Sequence, residues 1–111
     1  MSLSLAIYYK DTTRKPLFAP VSFQSVLHDY WWPLANKLEL QHIAMFEVLV
    51  IREAEELIQL LDELKTLKEY LQNTSEVSQD TVDYMLMRIG ELTSYLQQAL
   101  QEWDQVAKIS I

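Results

Sequence analysis

A long run of apolar residues, spaced alternately three and four positions apart, is the feature that most constrains the fold of this chain. Its members are Val82, Met85, Ile89, Leu92, Leu96, Ala99, Trp103 and Val106. Because an α-helix has about 3.6 residues per turn, this spacing places every member on one helical face. The run predicts a helix over about residues 79–107, with Ser78 as its N-cap.

A second run with the same spacing precedes the first and predicts a helix over about residues 42–72. Its members are Ile43, Phe46, Val50, Glu53, Leu57, Leu60, Leu64, Leu67 and Leu71. When the two runs are laid antiparallel, they stay in register from the pair Leu71 and Val82 to the pair Phe46 and Val106. We therefore expect a long antiparallel helical hairpin with a coiled-coil seam.

The first third of the chain contains all three prolines and predicts two shorter elements. Alternating apolar residues predict a strand over about residues 3–9. Its partner is open between "PLFA" at 16–19, "KISI" at 108–111 and the same strand of a second copy. A helix over about residues 22–38 should be kinked at Pro33, which lacks an N–H group.

These elements together predict one all-α domain spanning residues 1–111. It consists of the helical hairpin, the shorter proline-kinked helix and the short N-terminal strand. A chain of 111 residues with 50% hydrophobic content can bury a core without disulfides or a structural metal.

Composition argues against several classes of function. The absence of cysteine excludes disulfide frameworks, cysteine-based metal sites and thiol catalysis, and a single glycine excludes glycine-rich phosphate loops. The net charge of −7 and the scattered basic residues argue against nucleic-acid binding. No apolar run is long enough to span a bilayer and no signal peptide is evident, so we expect no membrane association and a cytoplasmic protein.

Neither a metal site nor a catalytic site is expected. Glu39 and His42 have the Glu-x-x-His spacing of di-iron helical bundles, which need two such motifs and two further glutamates. Only one motif is present, and it straddles a predicted turn. No histidine lies in a nucleophile motif, so we expect no enzyme, no cofactor and no metal.

Glu53 is the only charged residue in the apolar run of the second predicted helix. In the antiparallel register it faces Ala99, and His28 of the first helix lies near the same level. Two interpretations stay open. His28 and Glu53 form a buried polar pair, or Glu53 reaches solvent beside Ala99 while His28 faces water.

A candidate partner surface lies outside the predicted hairpin seam. It comprises Tyr84, Leu86 and Met87, with Gly90 beside them, and Trp32 as a second exposed aromatic residue. Apolar residues on an arm that no third helix covers are typical of an interaction surface. The alternative is that the first helix or the N-terminal segment covers them.

The favoured function is a non-catalytic protein–protein interaction module, an acidic helical adaptor, regulator or immunity-type inhibitor. We expect a protein partner, for which a basic surface would be the electrostatic complement, and self-association into a homodimer through a four-helix bundle. The alternative is a small helical ligand- or metal-binding protein that uses Trp31, Trp32 and Trp103 together with His28 and Glu53.

Overall fold

The computed structural model describes residues 2–111 and contains four strands and four helices. In chain order these are β1 (Ser2–Tyr9), β2 (Leu17–Phe23), α1 over residues 24–37, α2 (Gln41–Ala44), β3 (Val50–Ile51), α3 (Ala54–Asn73), α4 (Gln79–Gln101) and β4 (Val106–Ser110). A 3₁₀ turn, Trp103–Gln105, joins α4 to β4.

The four strands form one antiparallel sheet in the order β2-β1-β4-β3. The predicted N-terminal strand is confirmed, and it lies at the centre of the sheet. Both intramolecular segments left open as its partner, "PLFA" and "KISI", lie in strands that pair with it. Pro20 lies in β2, which is an edge strand, where a missing N–H group is tolerated.

The prediction of an all-α fold is wrong, because this sheet is a full structural layer. Leu3, Leu5 and Ile7 of β1 are buried in the same core as the leucines of the helices. The protein is therefore an α+β fold, in which helices pack on one face of an antiparallel sheet. Interpretations as a helical bundle or a coiled coil are wrong for the same reason.

The second predicted helix is correct only from Ala54 onward. The chain before it forms the short α2 and then β3, in which Val50 is the partner of Ser110 and Ile51 that of Ile109. The third predicted helix likewise ends at Gln101, because Val106–Ser110 pairs with β1 and β3. In both segments hydrogen bonds to distant strands replace the local bonds of a helix.

The helical hairpin itself is confirmed over α3 and α4. Its seam residues are buried: Leu57, Leu60, Leu64, Leu67 and Leu71 of α3, and Val82, Met85, Ile89, Leu92, Leu96 and Ala99 of α4. The Ser78 side chain accepts a hydrogen bond from the Thr81 N–H, which makes it the predicted N-cap. None of the helices within residues 2–111 combines the length and apolarity needed to cross a membrane.

Helix α1 has a wide turn at the predicted kink. Residues Leu27–Trp31 are π-helical, and the Trp32 N–H donates to the carbonyl of Leu27, five residues back. Pro33 follows directly, and because it has no N–H to give to Asp29, the wider turn accommodates it. Trp31 is fully buried, with its ring centroid 5.9 Å from that of Phe46.

Candidate functional site

One side of the α3–α4 hairpin is covered by the rest of the chain. On α3, Glu63 faces the start of α2 and Tyr70 faces Lys37 at the end of α1, and on α4, Tyr84 faces β2. These residues lie on different helical stripes from the residues of the opposite side. The hairpin is therefore anchored along one side only.

Glu63 is the principal anchor of α3. Its carboxylate accepts hydrogen bonds from the backbone N–H groups of His42 and Ile43, at 2.9 and 3.1 Å, and contacts the His42 imidazole Nδ1. Both side chains are mostly buried. A carboxylate thus satisfies the free N–H groups at the start of α2, and the carboxylate that contacts His42 is that of Glu63, from outside the Glu39-x-x-His42 motif.

Tyr84 is the corresponding anchor of α4. Its hydroxyl oxygen accepts a hydrogen bond from the Phe23 N–H at 3.1 Å, and the two rings stack at 5.8 Å with 7° between their planes. Burial raises the Tyr84 pKa, but the hydrogen bonds from Phe23, Arg88 and Ser22 lower it more, so its net pKa lies below the ordinary value. Tyr84 belongs to the covered side and not to the open surface with which the sequence grouped it.

The opposite side of the hairpin carries an open groove of about 570 Å³ between α3 and α4. Leu64 and Ile89 form its floor. Its remaining lining consists of Ile58, Leu61, Asp62, Lys65 and Lys68 of α3, and Leu86, Gly90, Thr93 and Gln97 of α4. These residues recur at spacings of three and four, so each set is a stripe along one helix.

Three predicted surface residues lie at this groove or beside it. Leu86 and Gly90 line it, and Met87, 50% exposed, follows Leu86 on α4. Two further lining residues, Leu61 and the 52% exposed Ile58, were not predicted from the sequence. The helical spacing could have identified both. They are apolar and directly follow a seam residue of α3, as Leu86 and Gly90 directly follow a seam residue of α4.

Gly90 lies midway along α4, and the fold of the chain gives no reason for a glycine there. A methyl group built on its Cα would meet no atom within 4 Å, and its φ angle is negative. Glycine in a helix interior costs about 1 kcal/mol relative to alanine. The residue therefore leaves open space at the wall of the groove.

Charges of both signs border the groove. Asp62, Lys65 and Lys68 of α3 line it. Asp83 lies on the same stripe of α4 as Leu86, three residues before it. All four are exposed. These two positive and two negative side chains balance one another, although the whole chain carries a charge of −7.

The structure does not bring His28 and Glu53 together. Glu53 is exposed, has extended backbone angles and directly precedes α3. The His28 imidazole lies 3.2 Å from a carboxylate oxygen of Glu47, with its ring edge-to-face with Trp32 at 4.5 Å. Because β3 interrupts the predicted helix, Glu53 never enters a seam opposite Ala99.

The three tryptophans do not line the groove. Trp31 is a core residue, Trp32 is half-buried against His28, and Trp103 lies in the 3₁₀ turn after α4. The indole N–H groups of Trp31 and Trp32 are buried without a hydrogen-bond partner. Trp32 is therefore not an open contact surface of the kind that the sequence predicted.

Across residues 2–111, no three histidine, aspartate or glutamate side chains cluster closely enough to hold a metal ion. Comparison of the chain with models of protein families, with curated proteins and with solved structures found no significant match. Inference about function therefore rests on the geometry of the uncovered side.

Proposed function

We propose that the protein is a non-catalytic protein-binding module, which takes an apolar α-helical segment of a protein partner onto the uncovered side of the α3–α4 hairpin. The observation that supports this most is the open groove there, lined by the half-exposed Ile58 together with Leu61 and Leu86. Large apolar side chains that gather beside an open groove are typical of a contact surface.

A helix is the segment that fits this groove best. Two antiparallel helices present parallel ridges with a furrow between them, and a further helix packs into such a furrow by the same ridge-into-groove geometry. The 20 residues of α3 give a contact about 30 Å long, enough for several turns of a partner helix. The lining is apolar at its centre and charged toward the loop, which favours an amphipathic segment.

The charges refine the expected chemistry of the partner. The net charge of −7 attracts a basic protein over long distances. At the groove, however, Lys65 and Lys68 face the occupant near the end of the hairpin where the loop lies. The docked segment should therefore carry an acidic side chain at that end, whatever the charge of the remainder of the partner. An adaptor, a regulator or an inhibitor would each work in this way.

The test compares two neighbouring substitutions on α3. Ile58→Asp places a charge beside the groove, whereas Gln59→Asp places the same group on the next residue, which is also exposed but does not line the groove. Circular dichroism should show both variants folded. A partner that binds the wild type and Gln59→Asp, loses binding to Ile58→Asp, and crosslinks in a purified complex to a photoreactive residue at position 65 supports the proposal.

Two outcomes would overturn the proposal. One is a purified partner whose crosslinks and sensitive positions all lie away from the groove. The other is a small molecule that co-purifies in stoichiometric amount and is lost in Ile58→Asp, since the groove volume also suits a ligand.

A further inference from the structure

Resting on this proposed function, we infer that the occupant of the uncovered side is the hairpin of a second copy of this chain. In this dimer a two-fold axis runs parallel to the hairpins, so that α3 of each copy lies along α4 of the other. Four observations carry the inference: the position of the charges, the position of Gly90, the local charge balance and the size of the face.

The charges match across such an axis. A two-fold axis parallel to the hairpin keeps every residue at its own height along it. Lys68 lies five residues before Asn73, the last residue of α3, and Asp83 lies four residues after Gln79, the first residue of α4. Their heights differ by one residue, about 1.5 Å. Lys68 of each copy therefore meets Asp83 of the other, and the contact occurs twice.

The same register gives Gly90 a function. Leu61 lies twelve residues before Asn73, and Gly90 lies eleven residues after Gln79, so they share a height as well. Leu61 of one copy would lie against the Cα of Gly90 in the other, where no methyl group stands. Close approach of two helices commonly requires a residue without a side chain, and nothing within a single copy requires one at this position.

The balance of charge on this side makes self-association compatible with an acidic chain. The charges of Asp62, Lys65, Lys68 and Asp83 cancel, so these four groove charges do not themselves oppose contact between two copies. Two copies that meet through this side avoid bringing like charges together, whereas contact through an acidic side would be repulsive.

The face is large enough for a modest dimer. From helix dimensions it is ~30 Å long and ~20 Å wide, or ~600 Å² per copy. A standard stable interface buries ~800 Å² per partner. We therefore expect an equilibrium between monomer and dimer, in the micromolar range of dissociation constants rather than an obligate dimer.

The experiment is a charge exchange between copies, followed by sedimentation velocity over a concentration series. Lys68→Glu and Asp83→Lys should each weaken self-association by about tenfold or more, because like charges then face each other twice. An equimolar mixture of the two variants should recover association to near the wild-type strength as a heterodimer. Contacts within one chain cannot produce this recovery. Lys108→Glu makes the same charge change on β4 and should leave the dimer unchanged.

The failures of this inference and of the proposed function are distinguishable. A wild-type protein that is monomeric throughout the series overturns the second copy as occupant. Association that neither variant weakens, or that the mixture does not recover, overturns the arrangement of the hairpins. In either case the proposed function is decided separately, by whether Ile58→Asp loses a different partner that Gln59→Asp retains.

Discussion

Replacement of Gly90 by alanine should stabilise the isolated chain and weaken its association. Gly90 is the central residue of the 23-residue α4, where helix ends do not fray, and its new methyl group would touch nothing within 4 Å. There is neither a clash nor a gain from burial, so only the backbone effect is left. Alanine is favoured over glycine in a helix interior by about 1 kcal/mol, part of it through the unfolded chain.

The change in unfolding free energy should be measured by urea denaturation in dilute solution, where the monomer dominates. With an m-value of roughly 2 kcal/mol/M, the midpoint should rise by about 0.5 M, and the melting temperature by about 4 °C. Gln59→Gly, at an exposed position within α3, should lower stability by a similar amount and calibrates the scale. The same Gly90→Ala protein should dissociate more readily in sedimentation velocity.

Two results would refute this reasoning. If Gly90→Ala destabilises the monomer, a contact within the chain requires glycine, and the gap in the groove wall has an internal cause. If the variant is more stable but associates as tightly as the wild type, no second hairpin approaches α4 at this residue. The substitution therefore separates folding from binding, because the two effects have opposite signs.

Three further predictions follow from the anchors on the covered side. Glu63→Ala should lower the unfolding free energy in urea by about 2 kcal/mol, since two backbone N–H groups lose their acceptor, whereas Glu63→Gln should lose less. Lys37→Met should return the Glu76 pKa, which hydrogen bonds from Lys37 and Tyr70 lower, toward its ordinary value in an NMR titration. In alkaline absorbance titration the Tyr84 phenol should ionise at a pH below that of an ordinary tyrosine, and Tyr84→Phe should remove this early step.

The predictions for Glu63 and Glu76 each have a contradicting result. An unchanged midpoint in Glu63→Ala would mean that α2 does not depend on its carboxylate cap. At pH values above the ordinary pKa of glutamate, the lowered Glu76 pKa stabilises the folded state. This contribution is lost as the pH falls through the lowered pKa. Hydrogen bonds to Tyr70 and Glu76 raise the Lys37 pKa to about 12, so this lysine stays charged further into the alkaline range than an ordinary lysine. A Glu76 pKa that is unchanged in Lys37→Met would exclude the contact with Lys37 as the cause of its lowering.

The hairpin could be predicted from sequence because its determinants are local. Leucines at spacings of three and four, a short polar loop and the Ser78 cap all act within a few residues of one another. The start of α3 could not be found in this way. The segment before it has eight apolar residues out of nine between Ile43 and Ile51, a pattern that suits either a buried helix or a buried strand.

The choice between them is made by residues far away in the chain. Val48, Val50 and Ile51 are β-branched and suit a strand, but a strand of two residues exists only because β4 offers it a partner. Val106 fits the helical spacing of α4 equally well and is drawn into β4 by pairing with Tyr9, about a hundred residues earlier. Tertiary pairing thus overrides the helical pattern in both helices at the open end of the predicted hairpin.

The candidate surface was predicted in part for the same reason. Leu86, Met87 and Gly90 follow from the helical pattern of α4 alone, and the structure leaves them at the open side. Tyr84 lies on the neighbouring stripe, and its burial depends on where β2 lies, which the helical spacing does not reveal. The groove itself needs both helices, so Ile58 gains significance only once the hairpin is formed.

The central position of β1 has a consequence for folding during synthesis. Strand β1 is synthesised before the other three strands and can pair with β2 early, but its other edge must wait for β4, which follows every other element described. Until then, a strand whose inner face is Leu3, Leu5 and Ile7 has an unpaired edge, a state that favours intermolecular strand addition. Chaperone protection, or rapid synthesis of the segment from α4 through β4, should therefore govern the yield of folded protein.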